Sequence, residues 1–150
     1  MELRVPPLIQ VLVLGFAMLS IAILLPSFEI LVPAGSLVGS ILIVVGAILA
    51  IAGVIEFRRI NTTVDPRYPD NSESLVHTGI YKLSRNPMYL GMFIILLGWS
   101  LCLANVMSFV LLPVFIFYMN YFQIKPEERI LSQKFGAEFD RYSSEVRRWI

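Results

Sequence analysis

No charged side chain occurs between Asn86 and Ile124, and this stretch is closed by Arg85 at one end and by Glu127-Glu128 at the other. It is about twice as long as the ~20 residues that one helix needs to cross ~30 Å of hydrocarbon. The segment therefore folds as a hairpin of two membrane-crossing helices, and its two polar feet meet on one side of the bilayer. Arg85, Tyr89, Glu127 and Glu128, far apart in sequence, can then line one water-facing pocket.

The rest of the chain has the same character. Hydrophobic residues make up 57% and charged residues 15%, with a mean hydropathy of +0.73, against roughly 25% charged in soluble domains. Four apolar runs, about 8–25, 37–55, 88–104 and 106–122, predict an all-α integral membrane protein with four transmembrane helices in a single domain, 1–150. The first run reads as a span rather than a cleaved leader. Its flank Pro26-Ser27-Phe28-Glu29 has no small-x-small pattern, and Glu2 offsets Arg4. With four crossings, all 12 Lys and Arg fall on one side and only Glu29 on the other. The positive-inside rule makes the crowded side cytoplasmic, with both termini, the 56–85 loop and the pocket facing it across the inner membrane. A net charge of +1 offers no basic surface, and no nucleic-acid partner is expected. One histidine, His77, and one cysteine, Cys102, exclude a disulfide framework and a His/Cys metal cluster, so no metal is expected.

In the second run Gly35, Gly39, Gly46, Ala50 and Gly53 recur at three-, four- and seven-residue steps and clear one face for close helix contact. Its neighbour is either another helix of the chain or a second copy, the latter giving a homo-oligomer. Only Asn105 separates the third and fourth runs, so these are adjacent and antiparallel. Pro113, inside the fourth, either kinks the helix and opens a crevice or is simply tolerated. The 57–84 loop has little apolar period; Leu75-Val76 and Ile80-Tyr81 are the pegs by which it would dock rather than stay disordered. After Pro126, apolar residues from Ile130 through Phe135, Phe139, Tyr142 and Val146 to Trp149 predict an amphipathic interfacial helix, or two short ones broken at Gly136, with the aromatic face in the membrane.

Each residue at the feet has a plain explanation: charge topology for Arg85, a first helical turn for Pro87, an aromatic belt for Tyr89, and a helix N-terminus beneath Glu127 and Glu128. Their convergence is what points to a site. Thr78-Gly79-Ile80-Tyr81 leading into Arg85-Asn86-Pro87-Met88-Tyr89-Leu90-Gly91, then two apolar helices, then Pro126-Glu127-Glu128-Arg129, resembles the isoprenylcysteine carboxyl methyltransferase family over about 57–150. The resemblance implies an integral-membrane enzyme that uses S-adenosylmethionine. By position it assigns a cofactor pocket to Glu73, Ser74, Leu75, Val76, Tyr81, Asn86, Pro87, Met88, Tyr89 and Glu127. Glu127 would accept hydrogen bonds from the ammonium or ribose hydroxyls, and the tyrosine faces would hold adenine or attract the sulfonium.

Two positions depart from the resemblance. Asn86 stands where many relatives have histidine, so no titrating base exists there. Gln123 stands where the eukaryotic enzymes have an arginine linked to the substrate carboxylate. Arg85, Arg129 or a tail arginine are the cations left for that charge. A lipid or prenylated acceptor would attack the sulfonium methyl in line. A carboxylate needs no base, whereas a phospholipid amine does, and Glu128 is the candidate. A small transporter, the alternative from another class, would need an ionisable group inside a span, and the four runs contain none. A non-catalytic membrane adaptor is the other alternative.

Overall fold

The computed structural model describes residues 5–59 and 75–150. Among these, α1 (Pro7–Leu24), α2 (Gly35–Arg59), α3 (Pro87–Leu103), α4 (Val106–Phe109), α5 (Leu111–Met119), α6 (Lys125–Phe135) and α7 (Ala137–Glu145) follow in chain order. Pro7–Leu24, Gly35–Arg59 and the rod Val106–Phe135 are long and apolar enough to cross a membrane; Pro87–Leu103 is a shorter apolar helix. At 1.5 Å per residue α3 spans ~26 Å. Starts of the four expected runs and ends of the first three agree with these helices to within a few residues, whereas the fourth continues past 122 to Phe135. Outer faces of α1 and α2 expose Leu12, Phe16, Leu37, Ile41, Val44 and Ile48, a surface matched to lipid rather than water.

The glycine face of α2 packs against α3 of the same chain. A Cβ added at Gly39 would meet the Gly98 carbonyl at 2.5 Å, and one at Gly46 would meet the Gly91 carbonyl at 2.5 Å; the same holds in reverse from α3. Such contact requires backbones with no side chain between them. This answers the choice left open by the sequence: the surface offered for a homo-oligomer is already occupied by α3.

Helix α1 is stitched to the third and fourth crossings by polar side chains that reach its backbone. Trp99 Nε1 donates to the Gly15 carbonyl at 3.0 Å, Ser108 Oγ to that of Met18 at 3.2 Å and Asn105 Nδ2 to that of Leu25 at 2.9 Å. The tight turn is made by Ala104 in the left-handed region, with a φ of 48°, and by Asn105, whose Oδ1 accepts from the Met107 N–H and caps α4. Beneath it Met18, Leu96, Phe115 and Met119 form the buried core.

Both prolines of the rod leave marks. Pro113 cannot donate to Phe109, and regular bonding is interrupted at Val110, between α4 and α5. Pro126 cannot donate to Phe122; the preceding turn, Asn120–Ile124, widens to π geometry, and the Lys125 N–H reaches back to the Asn120 carbonyl. The helix does not stop there, since Ile124 and Lys125 keep helical angles. Glu127 and Glu128 therefore do not sit over a free helix N-terminus, which corrects the dipole explanation for them.

The tail also differs from expectation. It breaks at Gly136, whose φ is 48°, but helix ends at Glu145, and Val146 is extended. Phe139 and Tyr142 are buried against Leu75, Val76 and Tyr81 rather than facing lipid. The apolar pegs of the loop compete successfully with the membrane for this face, because both surfaces belong to one chain and lie side by side.

Candidate active site

The two feet of the hairpin touch. Tyr89, in the first turn of α3 and 3% exposed, donates its hydroxyl to Glu127 Oε1 of α6 at 2.5 Å. Pro87 starts α3 and is buried. Glu128, on the next position of α6, is gripped by Arg148 through Nε to Oε1 (3.1 Å) and Nη2 to Oε2 (2.6 Å), and Arg85 Nη2 reaches Oε1 at 3.2 Å. The cluster of two guanidiniums and one carboxylate keeps one net positive charge beside the Tyr89–Glu127 pair. Its hydrogen bond to Glu128 pushes the Arg148 guanidinium upward in pKa, outweighing the opposite effect of burial.

The last residues of the chain lie across both feet. Arg85 N–H donates to the Arg147 carbonyl at 3.0 Å, Asn86 Nδ2 to that of Arg148 at 2.9 Å and Ser84 Oγ to the same oxygen at 3.4 Å. Trp149 Nε1 donates to Asn120 Oδ1 at 3.1 Å. Asn86 thus spends its amide on this segment and does not cap α3 with it.

Leu75, Val76 and Tyr81 form a second wall. The Tyr81 ring meets Phe57 edge-on at 5.4 Å, and the Tyr142 hydroxyl donates to the Tyr81 carbonyl at 2.8 Å. Burial pushes the Tyr81 hydroxyl far above the usual phenol range, with Tyr142, Glu127 and Glu56 adding to the shift; burial raises Tyr142 too, against the opposing charge of Arg85. Both phenols remain neutral donors. Gly79, with a φ of 55°, leaves the space that Glu56 fills, and Thr78 Oγ1 donates to Glu56 Oε2 at 3.2 Å, which fixes the loop end on α2. A cleft of about 500 Å³ opens between this loop end and α7, flanked by His77, Lys82, Glu138, Arg141 and Glu145.

Of the residues singled out in the sequence, Arg85, Asn86, Pro87, Tyr89, Glu127 and Glu128 come together at the feet, and Leu75, Val76 and Tyr81 adjoin them. Met88 packs under Gly53 of α2. Arg129 lies on the exposed side of α6. Glu73 and Ser74 lie outside the described residues. Sequence reasoning passed over Trp149 and Asn120 as site residues and reached Arg148 only as one of the tail arginines. Arg148 read otherwise as a polar member of an amphipathic pattern, and its neighbour Trp149 as the end of an apolar face.

The arrangement joins an acceptor carboxyl group, buried aromatics and a pair of guanidiniums at the mouth of a membrane hairpin, and known proteins are similar to it in sequence. The family model described as Phospholipid methyltransferase matches residues 34–138. An uncharacterized protein of Haemophilus influenzae is 46% identical over 63 residues, covering 42% of this chain and 100% of that protein. The Protein-S-isoprenylcysteine O-methyltransferase of Saccharomyces cerevisiae is 39% identical over 80 residues, 51% of this chain and 32% of the yeast protein. A probable protein-S-isoprenylcysteine O-methyltransferase of Oryza sativa is 33% identical over 79 residues, 53% of this chain and 41% of the rice protein. The matched region is thus less than half the length of the yeast and rice relatives. No solved structure matches. The chain belongs to the phospholipid methyltransferase family, membrane methyltransferases that use S-adenosylmethionine and include proteins similar to the isoprenylcysteine O-methyltransferases.

Proposed function

We propose that this chain is an S-adenosylmethionine-dependent methyltransferase whose acceptor is dissolved in the membrane, an isoprenylcysteine-like carboxylate in the first place. The observation that carries the reading is the Tyr89–Glu127 hydrogen bond, which joins the feet of α3 and α6 across 38 positions of sequence. Glu127 has a second oxygen to offer a ribose hydroxyl or an ammonium group. Among the described residues Arg85 keeps its Nε–H buried without a partner, and that donor fits a ligand carboxylate, so the residues present suit the cofactor. Leu75, Val76 and Tyr81 are the side from which an adenine would be held.

When bound, the cofactor supplies a methyl group on a positively charged sulfur, open to in-line displacement. The chain's own part is to position and to exclude water. Tyr89 orients Glu127. Arg85 meets the negative end of a ligand, and the apolar walls of α3 and α5 guide a lipid tail. A carboxylate oxygen needs no proton removed. The family model's name favours a second acceptor, a phospholipid amine, which would have to displace a guanidinium to use Glu128 as base, since both of its oxygens are engaged. The one-sided placement of Lys and Arg supports a site on the cytoplasmic side, where the cofactor is made.

Calorimetry of the detergent-purified protein tests the reading. S-Adenosylmethionine binds to the wild type, and Glu127→Ala weakens binding by roughly tenfold, the cost of a lost buried hydrogen bond. No heat with the wild type, or an unaltered Glu127→Ala variant, defeats it. Methyl-labelled cofactor offered with farnesylcysteine analogues and with phosphatidylethanolamine identifies the acceptor by which product carries label.

A further inference from the structure

Arg148 grips Glu128 with two parallel hydrogen bonds, the geometry that satisfies a carboxylate best. Arg85 touches the same carboxylate through Nη2, at 3.2 Å, and its Nε–H is buried with no acceptor among the described residues. Side chains of Arg85 and Glu128 are 14% and 18% exposed, so water does little to serve that donor. An unmet buried guanidinium N–H is costly, and the simplest way to relieve it is a second hydrogen bond from Arg85 to Glu128. Arg148 stands in the way of that collapse. It already occupies both carboxylate oxygens, and its own backbone carbonyl is pinned by Asn86 and Ser84, while Trp149 anchors the far end on Asn120.

We infer that Arg148 is a positioning residue: by holding the bidentate edge of Glu128 it keeps one edge of Arg85 in reserve as the binding site for an anionic oxygen group of the ligand. The inference rests on the function proposed above. The anion is a carboxylate or phosphate, and it belongs either to the methionine end of the cofactor or to the polar end of the acceptor. The extended segment from Val146 to Trp149 is then part of the site. A merely structural clasp would hold the feet together without regard to which carboxylate oxygen is taken.

Removing Arg148 alone and removing it together with its partner charge separate the two roles. In Arg148→Gln, Glu128 recaptures Arg85, and affinity for the anion-bearing ligand falls roughly tenfold. In Glu128→Gln/Arg148→Gln the captor is gone, and affinity returns to near the wild-type value. Calorimetry with S-adenosylmethionine and with its decarboxylated form identifies the source. A loss confined to the carboxylated cofactor assigns the anion to the cofactor; unchanged cofactor affinity with a raised KM for N-acetyl-farnesylcysteine assigns it to the acceptor. Nitrogen-15 NMR of arginine side chains reads the site without turnover: the Arg85 Nε–H resonance shifts when N-acetyl-farnesylcysteine or cofactor is added to the wild type, and not in Arg148→Gln. A double variant as weak as the single one, or an Arg85 resonance indifferent to both ligands, overturns the inference. Absence of cofactor binding by the wild type, with the Arg85 resonance still moved by the farnesylcysteine compound, sinks the enzyme reading and leaves the anion site standing.

Discussion

The α2–α3 seam and the polar cluster at the feet of α3 and α6 are held together by opposite means. Along the seam, backbone meets backbone at Gly39–Gly98 and Gly46–Gly91, with no side chain needed. At the feet nearly every contact is a polar side chain reaching a group far away in sequence, as in Tyr89 to Glu127 and Asn86 to Arg148. A seam of this kind tolerates no added atom, because its neighbours are backbone and cannot turn aside. The feet tolerate shape changes but not the loss of a donor or charge. Fold and chemistry are thus carried by different parts of one hairpin.

Substitutions can break or sharpen this contrast. The largest effect is expected at the seam: Gly91→Leu drives a side chain into the Gly46 carbonyl and the Ala50 backbone, costing about 3 kcal/mol or more. Size-exclusion chromatography in detergent then shows little folded monomer; a normal peak with an unaltered melting temperature would show that the seam is looser than described. A smaller loss is expected beside the feet. Tyr142→Phe removes the hydroxyl that bonds the Tyr81 carbonyl, at a cost of about 1 kcal/mol, read as a modest drop in melting temperature with the fold intact. The smallest effect has the opposite sign. Gly15 has open space where a Cβ would go, so Gly15→Ala stabilises α1 by up to ~1 kcal/mol. A destabilised Gly15→Ala would mean that glycines in this protein are kept for more than close contact.

The seam and the meeting of the feet were legible in the sequence, for simple reasons. A charge-free run of double span length has few ways to fold, and Gly39, Gly46 and Gly53 mark their face by repeating every seventh position. The identity of the partner was less legible, since α3 carries only two glycines, Gly91 and Gly98, whose seven-residue step gains meaning only opposite Gly46 and Gly39. The clasp was invisible. Its acceptors are the backbone carbonyls of Arg147 and Arg148, and a carbonyl has no signature in the side-chain pattern. Periodicity carried the helix on to Trp149, whereas the competing bonds from Arg85 and Asn86 draw that segment out of helical form. Pro126 announced a disturbance but not its kind: the ring could have ended the helix, and the chain widens one turn instead.

That widened turn at Asn120–Ile124 inserts one residue into the winding. In an ordinary α-helix each residue advances about 100° around the axis, so without the insertion everything after Ile124 would be rotated by roughly that amount. Glu127 would then face away from Tyr89, however well the apolar half of the rod were packed. The rod therefore has two independent azimuths, one chosen by hydrocarbon and core for Phe115 and Met119, the other by the pocket for Glu127. The loose coil between them acts as a phase correction that lets a single helix meet both demands.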